Sequence, residues 1–233
     1  TVEMDDGARR VSSLTMLGGM NKQGDGIVGL HDMTWLRTTK KPPTPSPIQT
    51  LRICDLFSGC GGITLGVQEA CRAMEIQMEA VLAWDILEGA RRVYERNFDP
   101  EFSRGDPIEH VIDGELGQEI TESESRLLEE IGPIDMVVGG PPCQGNSDLN
   151  NHSRRTDEKN LLYLRMTRFI EIVRPRIAII ENVLTVRRAQ AKVVQRTVEF
   201  LHSLGYGVDQ GALRAMDIGV PQDRRRHFTV AVL

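Results

Sequence analysis

The residues best suited to covalent chemistry lie in the run Gly139-Gly140-Pro141-Pro142-Cys143-Gln144-Gly145. A cysteine held by two prolines and flanked by glycines belongs to a stiff, exposed loop rather than to a packed core. A free thiol has a pKa of about 8.5, so little of it is thiolate at neutral pH unless its site lowers that value. With such a shift Cys143 is a nucleophile; the bland alternative is a buried cysteine in a turn. A second group is Asp55-Leu56-Phe57-Ser58-Gly59-Cys60-Gly61-Gly62. Its glycines let the backbone turn tightly and approach a ligand at a helix N-terminus. The spacing is GxGG, not the GxGxxG of dinucleotide sites, and alone it also fits a plain tight turn. Asp85 follows at roughly the 20-residue spacing at which an acidic residue receives ribose hydroxyls, or else caps the next helix. Asp106, in Gly105-Asp106-Pro107, meets an adenine amino group or is a turn residue. Glu181-Asn182 closes an aliphatic run from Ile177 to Ile180, where a carboxylate is expensive unless functional or well paired. Gln222-Asp223-Arg224-Arg225-Arg226 is a cationic cluster or a charged turn.

The elements that must position these groups alternate regularly. Strands are expected at Leu51–Phe57, Glu79–Trp84, near His110–Ile112, and at Asp135–Gly139, Arg176–Glu181, Gly205–Leu213 and Arg226–Leu233. Helices are expected at Ile63–Met74, through Ala90, Val93 and Tyr94, and at Glu122–Ile131, Leu161–Val173 and Ala191–Leu204. Val67, Ala70, Cys71 and Met74 share one face of the first helix, and Thr121 with Glu124 three residues on predicts a capping box for the third. Strands alternating with helices of this length give an α/β fold with a doubly wound, mostly parallel sheet. Ligands of such sheets sit beyond the carboxyl ends of the strands. The unusual residues cluster at those ends: the glycine turn, Asp85, the Pro-Pro-Cys loop and Glu181-Asn182.

Residues 1–49 form a separate expectation, an N-terminal extension that is Gly-rich at first and closes in a linker carrying Pro42, Pro43, Pro45 and Pro47. The catalytic domain then occupies 50–233. The composition, 40% hydrophobic and 26% charged, is that of a globular protein rather than a disordered one. No stretch approaches the ~20 apolar residues of a membrane span, so no membrane partner is expected. Cys54, Cys60, Cys71 and Cys143 show no CxxC pair and no histidine at zinc spacing, which points to a reducing, cytoplasmic setting without metal. The net charge of −5 argues against a nucleic-acid partner. Basic bursts at Arg37–Lys41, Arg154–Arg155, Arg187–Arg188 and Arg224–Arg226 leave that question open.

Taken in order, Asp55–Gly62, Gly139–Gly145, Glu181–Val183 and Gln222–Arg226 resemble the motifs of the DNA cytosine C5-methyltransferases, over about residues 50–233. The resemblance implies an S-adenosylmethionine-dependent, Rossmann-like methyltransferase acting on double-stranded DNA, in a modification or restriction–modification setting, with S-adenosylhomocysteine as product. It assigns Asp55, Phe57, Gly59, Gly61, Gly62, Asp85, Ile86, Asp106, Pro141 and Leu162 to the cofactor. Cys143 would attack C6 of a flipped-out cytosine, Glu181 would hold N3 and the amino group, and Arg226 with Arg224 would bind the O2 edge or a nearby phosphate. Pro142, Gln144, Asn182 and Gln222 would support the catalytic loop.

Three departures from the family pattern accompany the resemblance. Asn146 stands where an aromatic is common, Pro107 cannot donate a backbone N–H to adenine, and Lys159 replaces the usual Arg. The family's order also continues beyond the Arg-rich motif into a target-recognition domain. A fragment, a permuted order with residues 1–41 as the tail of the recognition region, or a second chain supplying recognition each account for this. The rival functions are a transfer-RNA cytosine C5-methyltransferase, an inactive binding subunit of the same fold and a dinucleotide oxidoreductase, which the GxGG loop and the Pro-Pro-Cys-Gln turn disfavour.

Overall fold

The computed structural model describes residues 49–142, 158–184, 193–218 and 220–233, together with Val2–Glu3 and Arg9–Arg10. The chain divides into two compact units, Thr1–Pro43 and Thr44–Leu233. In the first, β1 (Val2–Glu3) pairs antiparallel with β2 (Arg9–Arg10).

Among the described residues, the second unit forms a seven-stranded sheet. In chain order come β3 (Gln49–Leu56), α1 (Gly62–Ala73), β4 (Ile76–Trp84), α2 (Glu88–Phe98) and β5 (Phe102–Arg104). After a 3₁₀ turn at Ile108–His110 follow α3 (Glu122–Ile131), β6 (Met136–Gly139), α4 (Glu158–Val173) and β7 (Ile177–Asn182). The unit closes with α5 (Val193–Ser203), β8 (Gly207–Arg214) and β9 (Arg225–Val232). The order across the sheet is β5-β4-β3-β6-β7-β9-β8. Pairing is parallel from β5 through β7, and β9 runs antiparallel to both β7 and β8. This is the doubly wound α/β fold expected from the sequence. The chain steps outward from β3 to β4 and β5, then returns to the other side of β3 with β6. The crevice between the carboxyl ends of β3 and β6 is therefore the topological switch point, where such sheets bind ligands.

Alternation of side chains splits the core between the two faces. On one, Leu127 of α3, Met166 and Phe169 of α4 and Leu201 of α5 pack with Cys54, Leu56, Leu82 and Trp84. On the other, Val67 and Cys71 of α1 meet Ile53, Met136 and Val138. Ala70 and Met74, on the same helix face, are exposed and edge an open cavity. The helix covers β3 and part of β6, while the sheet continues past it.

Thr121 closes a capping box on α3: its hydroxyl accepts from Glu124 N at 3.2 Å and the Glu124 carboxylate accepts from Thr121 N at 3.0 Å. One expected strand is displaced. The edge strand is Phe102–Arg104, paired with Leu82–Trp84, and not the segment near His110–Ile112. Ile108 and Ile112 are both buried, and their separation of four residues is a helical spacing closed by the bond from Ile112 N to Ile108 O at 2.8 Å.

Candidate active site

The glycine turn follows β3 directly. Phe57 has φ 57°, in the left-handed region that a residue with a Cβ enters at a cost of order 1 kcal/mol or more. Hydrogen bonds from Ser58 N to Trp84 O at 3.1 Å and from Gly61 N to Ser58 O at 2.9 Å hold the strained turn. Gly61 has φ 87°, and a Cβ there would lie 2.3 Å from the Phe98 ring. A Cβ at Gly59 or Gly62 would meet nothing within 4 Å, and Gly62 borders the cavity.

Beneath the turn sits Asp55, almost wholly buried. Its Oδ2 accepts from the Thr64 hydroxyl at 2.5 Å, and that hydroxyl is 3.0 Å from Tyr94 Oη. Burial pushes the Asp55 carboxyl up to about 7; the Thr64 bond opposes the rise, and the charge of Asp85 adds to it. Asp55 Oδ1 and Ser58 Oγ are buried without a hydrogen-bond partner. Both residues border the cavity, and each unmade bond leaves a buried polar atom at a cost of about 1–3 kcal/mol.

Asp85 bridges the turn to the residues before α2. Its Oδ2 accepts from Gly59 N at 2.8 Å and its Oδ1 from Leu87 N at 2.8 Å. Each oxygen keeps lone-pair capacity for a ligand hydroxyl. Beside it Ile86 is 67% exposed, a flat apolar surface at the mouth of the turn. Asp106 is drawn toward the same strand end by Trp84, whose indole N–H donates to Asp106 O at 2.7 Å.

The second half of the site leaves β6. Gly139 is required by proximity, because a Cβ there would stand 2.5 Å from Leu56 O. Pro141 is buried, and its carbonyl accepts from Asn182 Nδ2 at 2.9 Å, which fixes where Pro141-Pro142 departs from the sheet. Cys143, Gln144 and the rest of 143–157 lie outside the described residues. Upstream of them, a Cβ on Gly140 would be 3.3 Å from Glu181 Oε2, so the chain at Gly140 passes beside that carboxylate. Glu181 Oε1 is 2.8 Å from Arg226 Nε and 4.0 Å from Arg224 Nη2. Gln222 is exposed and turns the chain into this arginine segment, its N–H donating to Val220 O and its carbonyl accepting from Arg224 N. Leu162, near the start of α4, packs on the main core beside buried Tyr163.

A single open cavity of about 1260 Å³ joins the two halves, running from Asp55, Phe57 and Ser58 past Gly140 to Glu181 and Arg226. The cavity also runs along α1 and the apolar face of the sheet to Met74 and Ile177, so the glycine turn and the carboxylate–guanidinium pair border one open, mainly apolar surface. Sequence reasoning missed Ser58, Thr64, Tyr94 and Trp84 as parts of this arrangement. Ser58 lay inside a motif already singled out; the other three act through contacts between elements, which no spacing reveals. Among the described residues no group of histidine, cysteine or acidic side chains is arranged to hold a metal.

Comparison with known proteins bears on what occupies the cavity. Residues 51–233 match the C-5 cytosine-specific DNA methylase family. The type II methyltransferase M1.BsuMI of Bacillus subtilis (strain 168) is 40% identical over 97% of this chain and 53% of its own length. The DNA (cytosine-5)-methyltransferase 1 of Rattus norvegicus is 31% identical over 82% of this chain and 12% of its own. The chain thus spans about half of the bacterial relative and a small part of the rat one. The solved S. pombe Dnmt2 methyltransferase superposes with a TM-score of 0.59 at 22% identity, covering 79% of this chain and 50% of that one, a likeness of fold.

Proposed function

The chain belongs to the C-5 cytosine-specific DNA methylase family, and on that premise we propose that it carries the catalytic site of an enzyme methylating C5 of cytosine in double-stranded DNA, with S-adenosylmethionine as donor, in a modification or restriction–modification system. The observation that carries the proposal is the shared cavity. Phe57, Ser58 and Gly62 of the glycine turn, Gly140 and the Glu181–Arg226 pair border one continuous surface, which supports reading them as parts of one site.

The residues present fit the donor. Gly59 and Gly62 leave room for close approach, Asp85 holds the turn through Gly59 N with lone pairs left for ribose hydroxyls, and exposed Ile86 offers an apolar contact for the adenine. When bound, S-adenosylmethionine supplies an electrophilic methyl group on sulfur.

Cytosine C5 is too weak a nucleophile to take that methyl group directly. Cys143 thiolate forms a bond to C6, and the ring electrons displaced by it make C5 nucleophilic, one hard step being split into easier ones. Glu181 holds N3 and the exocyclic amine while charge develops on the ring, and Arg226 holds the O2 edge. Loss of the C5 proton to water then lets the C6–sulfur bond break, returning Cys143 as thiolate. A base inside a duplex cannot reach this cavity, so the target is extruded from the stack.

Trapping tests the proposal. The full-length protein is incubated with duplex DNA carrying 5-fluorocytosine and the methyl donor. Fluorine at C5 cannot leave as a proton does, so the expected product is a covalent adduct that survives denaturation and is abolished by Cys143→Ser. No adduct from protein shown to bind the donor, or an adduct formed only with transfer RNA carrying the same base, overturns it.

A further inference from the structure

We propose that Arg91 is a positioning residue that sets the gap between the Asp85 loop and the Gly105-Asp106 loop, and so the fit of the nucleoside end of the methyl donor. The inference rests on the assignment of those two loops to the donor. Arg91 stands in the first turn of α2 and reaches back over both strand ends. Its Nη1 donates to Asp85 O at 3.1 Å. Its guanidinium lies flat against Gly105: a Cβ at that position would be 2.2 Å from Nη1 and 2.7 Å from Cζ. Gly105 has no positive φ to explain its glycine; the guanidinium occupies the volume a side chain would need.

The group is itself held in place. Arg91 Nε is 3.6 Å from Glu95 Oε1, which also accepts from the Ser103 hydroxyl at 2.5 Å on β5. One helix face therefore grips β5 through Glu95 and the two loop ends through Arg91. Other ties between the loops stop short of this role. Asp85 N donates to Arg104 O at 3.1 Å and Trp84 Nε1 to Asp106 O at 2.7 Å, which keep β4 and β5 in register. Neither fills the space between the Asp85 carbonyl and Gly105. With the guanidinium gone, the two loops lose their spacer while their strands remain paired.

This differs from a role in folding alone, which would lower stability and leave affinity untouched. The test uses the full-length protein and calorimetric binding of S-adenosylhomocysteine and of adenosine, with duplex DNA binding and thermal unfolding measured in parallel. Arg91→Ala should weaken both small ligands about tenfold, with DNA affinity unchanged. Arg91→Lys should recover part of the loss, since its stem fills the gap without the planar fork. Gly105→Ala should weaken the ligands in the native background, because its methyl group displaces the guanidinium. Added to Arg91→Ala it should cost nothing more, a non-additivity that reports direct contact. Native affinity in Arg91→Ala and Gly105→Ala, or losses that simply add, overturns the inference. Failure of the unsubstituted protein to bind S-adenosylhomocysteine instead overturns the assignment of the loops to the donor.

Discussion

Glu181 Oε1 lies 2.8 Å from Arg226 Nε across the antiparallel pair of β7 and β9. Parallel pairing carries Glu181 to the carboxyl end of β7, and antiparallel pairing brings the amino end of β9 to the same edge. Two strands of opposite direction thus deliver an acid and a base to one point, with Arg224 4.0 Å from the same oxygen. Both partners are partly solvated, so the pair contributes no more than about 1 kcal/mol to stability. Glu181→Gln should therefore unfold near the native temperature while methyl transfer to duplex DNA falls by about a hundredfold or more, the scale of losing a group that meets developing charge. A parallel drop in thermal stability and activity, seen by calorimetry beside a radiolabel assay, would make the pair structural.

Asp55 predicts a proton linkage. Burial raises its carboxyl to about 7 in the folded chain, against about 3.9 when unfolded. Between these values the folded state holds a proton that the unfolded state has lost. The contribution of Asp55 is complete below pH 4 and is lost as pH rises through 7, at no more than about 1.4 kcal/mol per pH unit. Asp55→Asn should flatten this part of the urea-stability profile. A cation bound over the glycine turn should lower the Asp55 carboxyl, so S-adenosylmethionine binding near pH 6.5 should release protons, read from calorimetry in buffers of different ionisation enthalpy. An unchanged profile in the Asn variant removes the linkage.

The glycines of the turn separate by function. Gly61→Ala meets both a left-handed backbone and the Phe98 ring, and should cost about 1–3 kcal/mol of stability. Gly62→Ala meets open space at the first residue of α1, so its unfolding temperature should stay near native and its loss should appear as weaker S-adenosylhomocysteine binding. Equal unfolding temperatures for the two variants would remove the distinction.

Much of this was legible in the residues themselves. Glycine, proline and acidic residues punctuate the strand ends, and Thr121 with Glu124 announced α3 because a capping box is written in adjacent positions. Glu181 could be singled out as a polar group ending an apolar strand, and Asp55 as the first residue of the glycine motif. Their partners could not: Thr64 meets Asp55, and Arg226 meets Glu181, only because α1 folds over β3 and β9 inserts beside β7. The shift of the edge strand to Phe102–Arg104 has the same origin. Three residues gain strand structure from pairing with β4 rather than from their own pattern. Periodicity placed Ala70 and Met74 on the face of Val67 and Cys71, but it reports a face and not what covers it.

The buried pair of Arg168 and Glu124 gives the last prediction. Arg168 donates to both Glu124 oxygens, at 3.0 and 2.7 Å, and to the Gln118 and Glu119 carbonyls. The Glu124 carboxylate also accepts from Gly114 N and Thr121 N. The network fastens the 114–121 segment and α3 to α4. Burial alone would raise the Glu124 carboxyl, but the bonds from Arg168 and the two backbone amides outweigh it and hold it below its ordinary value. Its contribution is present above about pH 4.3 and is lost as pH falls through the lowered folded value, the reverse of Asp55. Arg168→Met leaves a buried carboxylate without its cation and should cost about 3 kcal/mol or more at pH 7. At pH 3 the unpaired carboxyl is protonated, so the penalty should shrink. Urea unfolding of both proteins at the two pH values checks this, and a penalty independent of pH would show that packing, not charge, holds the network together.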